Sequence, residues 1–331
     1  MKRAIAIFCT LLLCLLSAAL LPIRAEDTGA KNEKIEKVEN PPASVNLEYK
    51  FKVGEMRRYN MTIDASGVFA LPKGTNETEF ETHTWLTVIQ HATAYLPKED
   101  VWKLELDVLS ATLSIPNFGE TLMTFPPLDL EVDKYGQVRK IKGIEELKTS
   151  GLPKDRTIEN ILSQLKFLGL PQKELHVGDT WEQEYPIEAL DQSVTVKTVS
   201  KLVGFERVDG VDCAKIESTF EVPFKFEMKK SENSEAKSSS TKEAPKRFLV
   251  GTEKGEHVTH FAYEEGKVMR AQATITLIAD IKSEGNESDK NNSTSALNNE
   301  GSADERHDLN IKYVLVSKFD PELPINLEEK E

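Results

Sequence analysis

Apolar and polar residues alternate along most of this chain. In "VWKLELDV", Trp102, Leu104, Leu106 and Val108 fall on one side, and Lys103, Glu105 and Asp107 on the other. Beyond Val108 the apolar phase moves to Leu109, Ala111, Leu113 and Ile115, which predicts a bulge or bend. In "VMRAQATITLIADI", Met269, Ala271, Ala273, Ile275, Leu277, Ala279 and Ile281 share one phase. "CAKIESTFEVPFKFEM" alternates in the same way through Ala214, Ile216, Phe220, Val222, Phe224 and Phe226. Period two is the signature of strands with one buried and one wetter face. These runs are long, which predicts long, curved antiparallel strands. One stretch breaks the pattern. "KDRTIENILSQLKFLGLP" carries a helical stripe of Ile158, Ile161, Leu162, Leu165 and Leu168, with Asp155 or Thr157 as N-cap and Gly169 and Pro171 as its end. "GIEELKTSGLP" before it reads as a shorter helix.

The strand pattern occurs twice. "FKVGEMRRYNMTID" opens one half and "LHVGDTWEQEYPIE" the other. Counted from each glycine, Arg57 and Trp181 stand at the same offset, as do Met61 and Tyr185, all at odd offsets that share a strand face. A hairpin follows in each, turning at "PKED" and "VDG", and then a strand–turn–strand around Gly136 and Gly266. The opening and closing glycines are 82 residues apart in the first half and 88 in the second. "LNIKYVLVSKF" adds a final strand. The expected fold class is α+β, mainly β: two similar antiparallel β units from an internal duplication, with a central helical segment packing on a curved sheet.

The expected organisation is a signal peptide at 1–25, a disordered leader at 26–44 and a first β unit at 45–143. A helical connection at 144–171 leads to a second β unit at 172–320, with disordered insertions at 229–246 and 283–308, and a tail at 321–331. With "YKFKVGE" at 49–55, "VGDTW" at 177–181, and "YGQV" and "EGKV" at 135–138 and 265–268, the chain resembles exported bacterial proteins of unknown function that carry these short structural motifs. The resemblance implies class and localisation, and carries no catalytic residues to transfer.

Composition sharpens the localisation. Lys2 and Arg3 precede the apolar run "AIAIFCTLLLCLLSAALLP", and Ala25 offers a cleavage point, the layout of a secretory signal peptide. An uncleaved anchor is the alternative, since the run is about long enough to span a bilayer. Cleavage removes Lys2, Arg3 and Arg24 and no acid, leaving 39 basic against 55 acidic residues, a balance of −16. Such a chain repels nucleic acid and anionic membranes. Only Cys213 remains, so no internal disulfide forms, and its strand context assigns it to packing. Asn60, Asn76, Asn286, Asn291 and Asn292 begin Asn-x-Ser/Thr triplets, which matter only in a glycosylating host.

Candidate chemistry is sparse. His257 and His260 in "HVTH" have a helical metal spacing, but on a strand they point to opposite faces. His83 and His91 share a face about 26 Å apart. No nucleophile elbow, phosphate loop or dinucleotide turn occurs, and no cofactor is expected. Asp179 in "VGDTW" reads either as a ligand-facing carboxylate beside Trp181 or as a cap on local backbone N–H groups, and the Gly54-Glu55 echo favours the cap. Trp85, Trp102, Trp181, Tyr185, Phe220 and Phe224 are candidates for a core or, if the sheet curves around a helix, for the lining of a ligand cavity. The expectation is an exported soluble binding or structural module of the bacterial envelope, in the periplasm or outside the cell. Its partner is an envelope component or a hydrophobic ligand, with no nucleic acid and no integral membrane segment after cleavage. The alternatives are a periplasmic carrier of lipid or another hydrophobic ligand, and a hydrolase with an unrecognised site.

Overall fold

The computed structural model describes residues 34–69, 78–116, 119–122, 124–143, 169–189, 192–228, 246–283 and 309–321. Within them run the strands β1 (Ile35–Lys37), β2 (Met56–Phe69), β3 (Thr78–Leu96), β4 (Val101–Ile115), β5 (Gly119–Leu122), β6 (Leu128–Asp133) and β7 (Val138–Lys142). They continue as β8 (Thr180–Ala189), β9 (Gln192–Val208), β10 (Val211–Met228), β11 (Arg247–Ala262), β12 (Lys267–Ser283) and β13 (Leu309–Phe319). All belong to one antiparallel sheet in the order β1-β9-β10-β11-β12-β13-β2-β3-β4-β6-β7, with β5 on β4 and β8 on β9.

This corrects the expected α+β class. The described residues form an all-β protein with no helix, and the helical stripe at 158–168 lies outside them. The two β units are not separate bodies joined by helices. The final strand, β13, pairs with β12 on one side and with β2 on the other, and fuses both halves into a single sheet. Strand edges carry the same unpaired N–H and C=O groups everywhere, so periodicity alone cannot say which edges a late strand will join. The expected leader at 26–44 is also corrected in part. Ile35–Lys37 pair with Glu206–Val208, and Val38 is buried in the core.

The two halves share local geometry. Gly54 and Gly178 both have positive φ, at 85° and 99°. Gly54 N–H donates to Ala92 O at 2.8 Å, and Ala92 N–H donates to Glu55 O at 2.9 Å. In the second half Gly178 N–H donates to Leu202 O at 2.8 Å, and Leu202 N–H donates to Asp179 O at 3.0 Å. A bulge follows each of these partners, at Thr93 and at Val203, where the strand register slips by one residue. A further pair of bulges lies at Arg139 and Met269, three residues after Gly136 and Gly266. The bulge expected after Val108 is present too: Val88 pairs with Val108 and Thr87 with Ser110, leaving Leu109 unpaired and exposed.

The sheet is rolled. Adjacent amides in the segment between β1 and β2 reach two distant turns, Tyr49 N–H to Lys134 O at 2.7 Å and Lys50 N–H to Gly266 O at 3.0 Å. Neighbouring amides therefore hold those carbonyls within roughly 10 Å of each other. In a flat sheet, the strand steps from β12 to β6 would separate them by about 24 Å. An aromatic chain fills the same end: Phe261 packs edge-on to Tyr49 at 5.2 Å, Tyr49 stacks on Phe51 at 6.1 Å, and Phe51 meets Trp102 at 5.7 Å. The core cluster there joins Leu104 and Leu130 of β4 and β6 to Leu202, Ile216 and Phe261 of β9, β10 and β11. Leu170 N–H donates to Tyr135 O at 2.9 Å, which brings the 169–178 segment into the same closure.

Candidate functional site

Register assigns every strand residue to one of two faces. Ile216, Thr259, Ala271, Ser317, Met61, Leu86 and Ala111 form one inward row across seven strands. Phe220, Gly255, Ile275, Tyr313, Ala65 and Thr82 form another. Outward rows carry residues such as Glu217, Gln272, Thr62 and Thr112. The result is an apolar concave face and a polar convex face. Ile63, Ala65, Ala273, Ile275 and Ile311 of the concave face are each 1 % exposed. The concave face is also thin-skinned in places: a Cβ on Gly67 would meet Asn310 O at 2.4 Å, and one on Gly255 would meet the Phe220 ring at 2.1 Å. These glycines let a neighbouring aromatic ring or strand lie flat on the sheet.

The candidate aromatics divide between the faces. Phe224 is buried in the concave core, and Phe220 packs against that core from over Gly255. Trp181 is buried at the closed end, and its Nε1–H donates to Gly169 O at 3.3 Å. Trp102 is half-buried between Phe51 and Tyr95. Trp85 is on the convex face, 43 % exposed and stacked near His83, so it lines neither core nor cavity. Its strand has apolar residues in both phases, Leu86 and Val88 inward and Trp85 and Ile89 outward, and alternation alone does not rank them. Tyr185 pairs with Val196 in β8, and its side chain lies outside the described residues.

The VGDTW acid is a backbone cap. Asp179 Oδ2 accepts the His176 N–H at 2.8 Å, and this bond holds the carboxyl below the usual carboxylate range. Glu55 Oε2 accepts the Lys52 N–H at 2.9 Å in the matching turn. Sequence reasoning missed the role of Arg57, two residues further on, which is 2 % exposed. Its guanidinium donates to Glu55 Oε1 at 2.8 Å, to Gly266 O at 3.1 Å and to Lys50 O, and lies 4.5 Å from the centre of the Phe51 ring. Arg57 thus ties β2, the segment before it and the β11–β12 turn together.

The histidines are dispersed. His83 lies on the convex face with its Nδ1 2.7 Å from Asp64 Oδ1, and His91 is 3.8 Å from Glu105. His260 also faces outward in register with Lys215 and Arg270, its Nε2 2.7 Å from Glu206 Oε2. His257 faces inward, opposite Ser218 and Ala273. Among the described residues no group of three or more His, Cys, Asp or Glu is placed to hold a metal ion. Burial pushes the Cys213 thiol up to about 12, which removes it as a nucleophile at neutral pH. Among the described residues no helix is long and apolar enough to cross a membrane.

His257 and Glu253 both face the concave side. Burial lowers His257 from 6.5 to about 3, and burial raises Glu253 from 4.5 to about 7. Glu253 is half-buried, and its cross-strand neighbours are Val222 and Leu277.

Fold and site together define a rolled, all-β protein whose single sheet turns an apolar face inward. No family model and no curated protein matches the chain. Among solved structures the chain is similar to one described as "lipid-protein interactions in lipovitellin", at a TM-score of 0.41 and 9 % identity. The likeness covers 82 % of this chain and 25 % of that one, so the chain spans a quarter of its length. At that score the likeness carries no argument about this chain.

Proposed function

We propose that this chain is an exported carrier that holds a hydrophobic ligand against the concave face of its rolled sheet. One observation supports the reading: a single sheet directs a mostly apolar phase to the interior across seven consecutive strands, β10 to β4. That face has its own buried cluster, around Ile63, Ile275, Ile311 and Leu315, separate from the closed end where Tyr49 and Phe51 pack. A polar convex exterior, an acidic chain overall and a mostly apolar interior suit transfer of an oily molecule through an aqueous compartment. The N-terminal apolar run supports export, and a mature N-terminus near Glu26 is the expected result of sequencing the secreted protein.

The experiment is solvent extraction of protein purified under non-denaturing conditions from its own envelope, followed by mass spectrometry. Apolar molecules in near-stoichiometric amount are expected. Protein that yields none, and that takes up none when exposed to mixed lipid vesicles, refutes the carrier reading and leaves the broader one of an envelope binding or structural module.

A further inference from the structure

The concave face is mostly apolar, but it carries buried polar side chains on β3, where Thr82 and Thr84 lack partners, and in a denser patch on β9 to β11. Ser200 of β9, Ser218 of β10 and His257 of β11 lie side by side in one cross-strand row. Thr259 is the next inward residue along β11. Ser218 Oγ donates to Ser200 Oγ at 2.7 Å. His257 is 2 % exposed and Thr259 is fully buried, yet neither imidazole nitrogen and not the Thr259 hydroxyl has a hydrogen-bond partner. A buried polar group left unpaired forfeits its hydrogen bonds to water and destabilises the fold. Leucine or phenylalanine at 257 would avoid that cost on a face that is mostly apolar. Across β12 the row continues with Ala273, and the row of Thr259 with Ala271, so small side chains flank the imidazole on that side.

We propose that His257 and Thr259, backed by the Ser200–Ser218 pair, form the polar subsite for the carried ligand and that this subsite takes a neutral hydroxyl group. The proposal rests on the carrier reading above and deepens it. A neutral imidazole presents one N–H donor and one bare nitrogen acceptor, and an alcohol presents one donor and one acceptor. The two match, with Thr259 supplying a further hydroxyl. An anion is matched poorly. Burial keeps the imidazole uncharged at neutral pH. The inward-facing guanidinium of Arg57 is committed to Glu55 and to two backbone carbonyls. Glu253, four residues along the same strand face, repels a carboxylate whenever it is ionised. The ligand class is therefore a long-chain alcohol, or an acylated molecule with one free hydroxyl, in preference to a free fatty acid.

Binding of 1-decanol and of decanoate to delipidated protein at pH 8, each measured by displacement of a bound naphthyl fluorophore, tests this. Apolarity alone favours the alcohol, so the alcohol-to-carboxylate ratio is compared between the wild-type chain and His257→Leu. The ratio is expected to fall about tenfold in His257→Leu, through weaker decanol binding, with decanoate changed less than twofold. His257→Gln, which keeps a donor and an acceptor, is expected to restore most of the decanol affinity. An unchanged ratio in His257→Leu, or decanoate as the tighter ligand of the wild type, overturns the subsite while leaving the carrier standing. Failure of both probes to bind overturns the subsite and the carrier together.

Discussion

His257 and Glu253 should pull stability in opposite directions across mildly acidic pH. The folded imidazole titrates near 3 and the unfolded one near 6.5. Its contribution is therefore present above pH 6.5 and is lost as the pH falls below that value, because the unfolded chain binds a proton that the folded chain refuses. Glu253 is the reverse case. Its carboxyl titrates near 7 when folded and near 4.5 when unfolded, so the folded state gains stability as the pH falls through 7. Each proton is worth about 1.4 kcal/mol per pH unit within its window. Between pH 7 and pH 5 the histidine thus removes about 2 kcal/mol and the glutamate adds about 2 kcal/mol, so the pair nearly cancels. The side chains opposite His257, Ser218 and Ala273, carry no charge that would alter this. Urea unfolding of delipidated wild type, His257→Leu and Glu253→Gln at both pH values separates the terms. Relative to wild type, His257→Leu should be about 2 kcal/mol more favourable at pH 5 than at pH 7, and Glu253→Gln about 2 kcal/mol less favourable. Other carboxylates are common to all three chains and drop out of the comparison. Parallel pH profiles for the three proteins would refute the reasoning, since they would mean that neither group is buried away from water.

Arg57→Met should lower stability by about 3 kcal/mol in urea unfolding, because it strips the buried partner from Glu55 and two carbonyls, and Arg57→Met combined with Glu55→Gln should recover part of the loss. Gly67→Val should cost about 2–3 kcal/mol, read as a lower thermal midpoint, since its Cβ would strike the backbone of β13 at Asn310 O, 2.4 Å away. Cys213 should stay unreactive to a thiol reagent at pH 8 in the folded chain and react fully in denaturant, because it is wholly buried with its thiol pushed up to about 12.

Much of the fold was legible residue by residue. Strict alternation in "VMRAQATITLIADI" gave the inward phase of β12 from Ala271 to Ala279. The slip after Val108 marked the bulge at Leu109, and each Gly-acid pair marked a turn whose carboxylate caps its own backbone. Such features are local: a strand's two faces, a positive φ and a short hydrogen-bonded turn are set by neighbours within a few residues. Met269 shows the limit even there. It continues the apolar phase in sequence, but the bulge at that position takes it out of the inward row and into a small cluster with Val208, Cys213 and Ala262.

The sequence by itself determined that this chain makes long, two-faced strands, that it makes them in the same order twice, and where several of their turns and one of their slips fall. The tertiary structure alone decided that the strands form one sheet and that β13 joins its halves. It alone decided that the sheet rolls until Lys134 and Gly266 share neighbouring amides, that Trp85 looks outward, and that Arg57 locks the closed end. It also placed His257, a common polar residue in the sequence, where nothing pairs with it. The physical reason is that periodicity reports which way a side chain leaves its own strand. What stands opposite it is set by edge pairing and curvature, which join residues far apart along the chain.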